Sequence, residues 1–246
     1  MTGSAALDVF IYAMITALAT GLGAIPFFFL KNITRSFLGL SNAAASGLML
    51  AASFSLIYEG MDYNLLMVCG GMVLGLVFVV ISQQFLDKYD HLQFAHESIK
   101  EGRKILLIIA VMTVHSFTEG VGVGVSFGGG ESLGIFITAA IALHNVPEGL
   151  AISLVMVPRG SSPIKAALWS IFSSLPQPVM AVPAFLFVEI FERFLPVGLG
   201  FAAGAMIWMV VAELIPDALK DTSANKTGIT IVLAVIVMFL FQYFLM

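Results

Sequence analysis

The chain has 246 residues, of which 59% are apolar and only 11% are charged, with a mean hydropathy of +1.02. Soluble globular domains carry about 25% charged residues and about 45–50% apolar ones, so this composition excludes a soluble domain. It indicates an all-α protein that crosses a lipid bilayer. The net charge of −4 says little, because the charges lie mainly at the borders of the apolar stretches. No basic patch is large enough to indicate nucleic acid as a partner, and the single Cys69 excludes an internal disulfide.

Eight apolar stretches are each long enough to cross a bilayer core, which takes about 20 helical residues. They predict a single polytopic membrane domain over residues 1–246, whose first stretch is a retained helix rather than a signal peptide. The predicted spans cover residues 8–30, 36–58, 64–86, 104–127, 131–156, 165–188, 195–216 and 228–246.

The basic residues predict the orientation of these spans. Of the 11 lysines and arginines, all except Arg193 lie on the same side as the connection between spans 3 and 4, residues 87–104. Basic connections stay preferentially in the cytosol, so we expect this connection inside and both termini outside. Its two histidines, His91 and His96, are too few for a histidine-rich metal-binding tract. A solvated linker is the expected role, and weak docking of metal on the cytosolic side is the alternative.

The sequence H-x-x-x-E-G occurs twice at membrane depth. His115 and Glu119 lie in span 4, and His144 and Glu148 lie in span 5. A spacing of four residues places each pair on one helix face. Ionisable groups inside a bilayer are costly unless they are partnered, and four of them patterned twice favour a functional site over a structural hydrogen-bond network. Nitrogen and oxygen ligands on facing helices suit a divalent transition metal such as zinc.

The two histidines fall near the middle of their spans and are therefore expected at the same depth. Because the spans run in opposite directions, Glu119 should lie one turn outward and Glu148 one turn inward, about 12 Å apart along the axis. This spread predicts either two metal positions or one ion that steps between overlapping ligand sets.

Five further residues are candidates with less specific signals. Asn145 is either a ligand or a hydrogen-bonding residue between helices, and Pro147 predicts a kink that frees one carbonyl. Gln177 lies between two prolines of span 6, where a broken helix would present a polar tip to a pathway. Met49 offers a soft thioether or packs in the core, and Glu213 forms an inner exit site or an ordinary interfacial carboxylate.

Two patterns of small residues bear on the architecture. Residues 45–51 of span 2 are similar to residues 203–207 of span 7, although these spans run in opposite directions. Such inverted repeats are typical of transporters with alternating access. Gly71 and Gly75 give span 3 a small-residue face, which leaves a homodimer open.

The chain resembles the ZIP (Zrt/Irt-like) family of divalent metal transporters. The residues that carry the resemblance are HSFTEG in span 4, HNVPEGLAI in span 5, MLAASFSL in span 2 and FAAGAMIWMVVAELIPDA in span 7. It implies a 3+2+3 arrangement of eight helices, and movement of zinc, and often iron, manganese or cadmium, into the cytosol. The metal is then cargo rather than a cofactor, the chain is no enzyme, and we expect it in the cell membrane.

The resemblance also implies roles for the candidate residues. The main metal site would contain His115, Glu119 and Glu148, with Met49 on its outer side; the second site would be lined by His144, Asn145 and Gln177, and Glu213 would be the inner exit carboxylate.

The sequence departs from the family pattern at three positions. Ser116 stands where many members have Asn, Gln177 where several have Glu, and Ala212 where a His often precedes the exit carboxylate. The loss of a charged ligand at the second site favours a single main site with a weak neighbour.

Two other functions are alternatives to transport. An intramembrane metalloenzyme would hold a fixed metal at the same residues, but the chain lacks H-E-x-x-H and has only four histidines. A metal-gated sensor would need a large soluble region to contact a partner, and the sequence contains none.

Overall fold

The computed structural model describes residues 2–29, 34–90 and 97–245, and every regular element in these ranges is helical. The predicted all-α class is therefore confirmed. The helices are α1 (Thr2–Leu22), α2 (Pro26–Phe29), α3 (Arg35–Asp90), α4 (Glu97–Gly128), α5 (Glu131–Met156), α6 (Pro163–Ser174), α7 (Pro176–Ile190), α8 (Leu195–Met209), α9 (Ile215–Asp221) and α10 (Ala224–Leu245). Short 3₁₀ turns lie at Val157–Arg159 and Glu192–Phe194, and a π-helical turn, Val210–Leu214, joins α8 to α9.

Six stretches of the described residues are long and apolar enough to cross a membrane, which makes the chain an integral membrane protein. They are Ala5–Phe29, Arg35–Phe85, Glu131–Met156, Pro163–Ile190, Glu192–Asp221 and Ala224–Phe244. The second has 51 residues. At about 1.5 Å per residue a straight helix of that length would exceed twice the hydrocarbon core of about 30 Å.

Helix α3 does not run straight, because the backbone leaves helical geometry at Asn64 (φ −166°, ψ 109°). The Asn64 side chain accepts a hydrogen bond of 3.1 Å from the backbone N–H of Met67, which caps the segment that follows. The break divides α3 into a first arm, 35–63, and a second arm, 65–90.

The contacts with α8 and α9 show that the two arms run in opposite directions. Along the first arm, the residues nearer the break contact the start of α8 and the earlier ones contact α9, as seen for Gly60 with Leu199 and Gly39 with Ala218. Along the second arm the order is reversed, as seen for Gly71 with Val197 and Gln83 with Glu213. The arms thus correspond to predicted spans 2 and 3, which are joined by a turn at Asn64.

The helices pack in two groups that meet along the candidate site. One group contains α1 with α4, α5, α6 and α7, and the other contains α3 with α8, α9 and α10. The groups meet where α3 packs on α5 and where α4 packs on α8. The apolar core at this junction includes the fully buried Phe136, Leu199 and Met206. Helices α4 and α5 therefore lie at the centre of the molecule.

Two proline-containing spans behave differently. Predicted span 6 is interrupted at Leu175, so α6 ends at Ser174 and α7 begins at Pro176, directly before Gln177. The predicted broken helix is present there. Helix α5 instead continues as one helix through Pro147.

The glycine face of span 3 packs against another helix of the same chain. A Cβ added at Gly71 would overlap the backbone of Val197, and one added at Gly75 would overlap the backbone of Phe201. Both glycines therefore allow the second arm of α3 to pack tightly against α8. The face that left a homodimer open is thus covered by the chain itself, and the homodimer gains no support.

Part of the predicted inner connection cannot be compared with the structure. Lys31, His91 and His96 lie outside the described residues, and residues 86–90 and 97–108 are described as helical backbone only. The solvated linker between spans 3 and 4 stays a prediction.

Candidate metal centre

Helices α4 and α5 form a hairpin that carries both histidine–glutamate pairs. The connection is short because Gly130 takes a left-handed backbone conformation (φ 130°) that favours glycine. His115, Glu119, His144 and Glu148 expose only 6%, 0%, 5% and 7% of their surface. All four polar side chains are therefore buried at the junction of the two helix groups.

Three of the four converge on one point. Ligand atoms of Glu119, His144 and Glu148 lie within 4.8 Å of one another, and His144 Nε2 is 3.4 Å from Glu119 Oε1. Two carboxylates and one imidazole, all buried, form a donor set that a divalent transition metal prefers. This group is called the ligand triad below.

The Glu148 carboxylate gives the triad its electrostatic character. Neither of its buried oxygens has a hydrogen-bond partner among the described residues. Buried polar groups are nearly always satisfied, and an unpartnered carboxylate in an apolar interior is especially costly. A cation held between Glu148 and Glu119 would compensate for this cost, and two carboxylates balance the charge of a divalent ion.

His115 lies apart from the triad. Its Nε2 atom is 2.9 Å from Glu213 Oε2, and Glu213 Oε1 accepts a 2.6 Å hydrogen bond from Gln83. Glu213 lies within the π-helical turn, an irregularity that often marks functional positions. The structure thus brings His115 and Glu213 together. Gln83 was not identified from the sequence, because it lies between Ser82 and Gln84 near the end of predicted span 3, where polar residues are ordinary.

The side chains meet more closely than the helix positions alone predict. His144 Nε2 lies 3.4 Å from Glu119 Oε1, and the Glu119 and Glu148 carboxylates lie within 4.8 Å of each other. The predicted spread of about 12 Å counts only backbone rise, whereas the side chains of these antiparallel helices lean toward the N-terminus of their own helix and thus toward each other.

A cavity of about 70 Å³ adjoins the triad. Its lining includes the buried His144, Glu148 and His115, the half-buried Glu213 and the exposed Asp217. Side chains of the triad and the pair formed by His115 and Glu213 thus share one cavity with a surface carboxylate.

The amide side chains of Gln177 and Asn145 lie near Glu119 Oε2, whereas His144 lies near Glu119 Oε1. Gln177, fully buried, donates a 2.6 Å hydrogen bond from Nε2 to Glu119 Oε2. Its Oε1 atom accepts from Asn145 Nδ2 at 3.1 Å and lies 2.6 Å from Thr16 Oγ1. Asn145 Nδ2 also donates to the Thr16 carbonyl at 2.7 Å. Thr16 was missed in the sequence; its only signal was a hydroxyl in an apolar helix.

Comparison with known proteins decides the family. The model of the family described as ZIP Zinc transporter matches residues 91–246. The chain belongs to the ZIP zinc transporter family. The resemblance seen in the sequence is thereby confirmed.

Individual relatives agree with this membership of the ZIP family. Zinc transporter GufA of Myxococcus xanthus is 30% identical over 84% of the chain and 86% of its own length. Zinc transporter ZIPB of Bordetella bronchiseptica is 32% identical over 82% of the chain and 70% of its own length. An Arabidopsis thaliana protein named "Putative zinc transporter" is 48% identical over 89% of the chain, which spans only 36% of that relative. The alternative of a metalloenzyme finds no support in these matches.

The glycine that follows each glutamate of this ZIP family member has a packing role. A Cβ at Gly120 would lie 2.5 Å from the Gln177 carbonyl oxygen, and a Cβ at Gly149 would overlap the Thr20 carbonyl. Each glycine therefore lets another helix backbone come into contact beside a triad carboxylate. Met49 is fully buried in the apolar core, and a ligand role for it stays a prediction.

Proposed function

We propose that this chain carries zinc across the membrane toward the cytosol, with Glu119, His144 and Glu148 as the ligands of the transported ion. The observation that carries the proposal is the pair of unpartnered, buried oxygens of Glu148 beside Glu119 and His144. In a purely structural hydrogen-bond network the Glu148 carboxylate would be left without a partner, whereas a bound divalent cation would compensate for its charge.

The exit route follows the cavity. An ion that leaves the triad would next meet His115 and Glu213, and then the exposed Asp217. Ligand exchange along closely spaced groups lets a cation move without passing through a fully uncoordinated state. His115 and Glu213 thus serve as the inner relay, while Asn145, Gln177 and Met49 are not required as ligands for this path.

The proposed topology has eight crossings in a 3+2+3 arrangement with inverted repeats. It is supported by the reversal at Asn64, which supplies two crossings from α3, and by α4, whose length of 32 residues suffices for another. The bias of the basic residues supports termini outside and the connection between α3 and α4 in the cytosol. We place the protein in the cell membrane.

Zinc is proposed as the preferred cargo because three relatives of this chain carry zinc in their names. Iron, manganese and cadmium ions are further candidates, since imidazole and carboxylate ligands bind all of them and geometry decides among them. No resident cofactor is part of the proposal.

Radiolabelled zinc uptake into proteoliposomes tests the proposal. Glu119→Gln and Glu148→Gln preserve side-chain shape and each removes one negative charge, so we expect uptake to fall by about 100-fold or more. Glu192→Gln is the control, because Glu192 is exposed in the connection between α7 and α8. Uptake at the parental rate in both triad variants would reject the assignment.

A further inference from the structure

The hydrogen bonds around Gln177 satisfy both ends of its buried amide. Its nitrogen donates to Glu119 Oε2, and its oxygen is within hydrogen-bond distance of two groups, Asn145 Nδ2 and Thr16 Oγ1. Gln177, Asn145 and Glu119 are each fully buried, and Thr16 is as well. Helices α1, α4, α5 and α7 thus meet in one polar network, which is called the amide network below.

The orientation of the amide network follows from one group that can only accept. The Thr16 carbonyl lies 2.7 Å from a terminal atom of Asn145, so that atom must be the Asn145 nitrogen. The same nitrogen lies 3.1 Å from the Gln177 amide, which must therefore present its oxygen. Reversing the Gln177 amide would place two NH₂ groups against each other and an oxygen against the Glu119 carboxylate.

We infer that Gln177 is a positioning residue that fixes the Glu119 carboxylate through the amide network. The inference rests on the proposed function, in which Glu119 is a ligand. Oε2 of Glu119 is occupied by the Gln177 donor, and Oε1 is left toward His144, 3.4 Å away. Glu119 then binds the ion through one oxygen.

Gln177 itself is poorly suited to coordinate an ion in this arrangement. Amide nitrogen is a donor without an available lone pair, and the Gln177 oxygen already accepts from Asn145 Nδ2. It also lies 2.6 Å from the Thr16 hydroxyl, whose single proton is shared between this oxygen and the Ala13 carbonyl 2.7 Å away. The Gln177 NH₂ group therefore stabilises the charge of Glu119 without itself binding the ion.

The first test asks whether the Thr16 hydroxyl affects zinc binding through Gln177 or only supports the local structure. Thr16→Val keeps the shape and removes the hydroxyl, whereas Thr16→Ser keeps the hydroxyl. Zinc affinity of purified protein, measured by calorimetry, should fall about three- to tenfold in Thr16→Val and stay parental in Thr16→Ser, because one hydrogen bond is lost. In a Gln177→Leu background the Thr16→Val loss should vanish, since the hydroxyl acts through Gln177. Equal losses in both backgrounds would overturn the inference.

The second test counts ions per chain by elemental analysis after equilibration with zinc. Gln177→Leu should keep the parental stoichiometry with weaker binding. Gln242→Leu, on α10 and outside the network, is the control and should keep both the parental stoichiometry and the parental affinity. Loss of one ion in Gln177→Leu would identify Gln177 as a ligand and overturn the inference, as would parental affinity in Gln177→Leu. Absence of zinc uptake by the parent would reject the proposed function but leave these counts interpretable.

Discussion

The Glu148 and Glu119 carboxylates lie within 4.8 Å of each other but differ in their hydrogen bonding. Glu119 accepts a hydrogen bond from Gln177, whereas the Glu148 oxygens have no partner in the described part of the chain. Two carboxylates buried this close together repel each other, and a bound cation would remove this repulsion. Such local instability is common at functional sites.

The Glu148→Gln variant tests whether Glu148 lowers the stability of the metal-free protein and is needed for stabilisation by zinc. Because a neutral amide is easier to bury than an unpartnered carboxylate, we expect the metal-free variant to unfold at a temperature equal to or above that of the parent. Zinc should raise the melting temperature of the parent and leave the variant unchanged, since binding stabilises only the state that binds. Thermal unfolding in detergent, with and without zinc, measures both effects.

A variant that is less stable than the parent without metal, yet still stabilised by zinc to the same extent, would contradict this account of Glu148. Glu192→Gln, an exposed position, should show parental behaviour in both conditions.

At the residue scale, the sequence predicts which side chains share one face of a helix, but not which side chains meet between helices. Four-residue spacing within one helix is set by helix geometry, so His144 with Glu148 could be placed on a common face. Which groups meet across helices depends on tertiary packing and on the direction in which the side chains lean. This is why the close contact of Glu119 with His144 was not predicted, and why Thr16 and Gln83 were missed.

At the scale of elements, glycines determine how closely the helices approach beside the triad. Gly120 contacts the backbone at Gln177, and Gly149 contacts the backbone at Thr20. Both glycines follow a triad glutamate directly, so backbone contact and ligand position are coupled. The sequence indicated close packing at these glycines, but the identity of the opposing helices came from the structure.

The Gly149→Ala variant should separate α1 from α5. The added methyl would overlap the Thr20 carbonyl, and we expect a loss of about 1–3 kcal/mol in stability from overpacking, together with weaker zinc binding. Gly70→Ala is the matched control, because no atom lies within 4 Å of the added Cβ and alanine favours the helix. Melting temperatures of the two variants give the comparison, and an equal effect in both would refute the contact.

At the scale of the whole molecule, hydropathy predicted helices well because a bilayer permits few alternatives for the backbone. Predicted spans 2 and 3 lie in one nearly continuous helical stretch that is broken at Asn64, and their two separate crossings stay a prediction. The grouping of α3 with α8 to α10 could not be predicted, since apolar surfaces facing lipid and apolar surfaces facing other helices have similar compositions.

The proposed orientation can be tested with single cysteines in a Cys69→Ala background. Glu192→Cys lies in the connection between α7 and α8, and Ser161→Cys lies in the connection between α5 and α6. With the termini outside, a membrane-impermeant maleimide should label Glu192→Cys in intact cells and label Ser161→Cys only after permeabilisation. The opposite pattern would invert the topology and the proposed direction of transport.

The hairpin of α4 and α5 also bears on how the protein enters the membrane during synthesis. Its two helices are separated only by Gly129 and Gly130 in the chain, so they can be inserted together as one unit. The contact between His144 and Glu119 lies within this unit, and the polar groups can therefore shield one another while they pass the apolar interior. The segment that is hardest to place in lipid thus carries part of its own compensation from the moment of insertion.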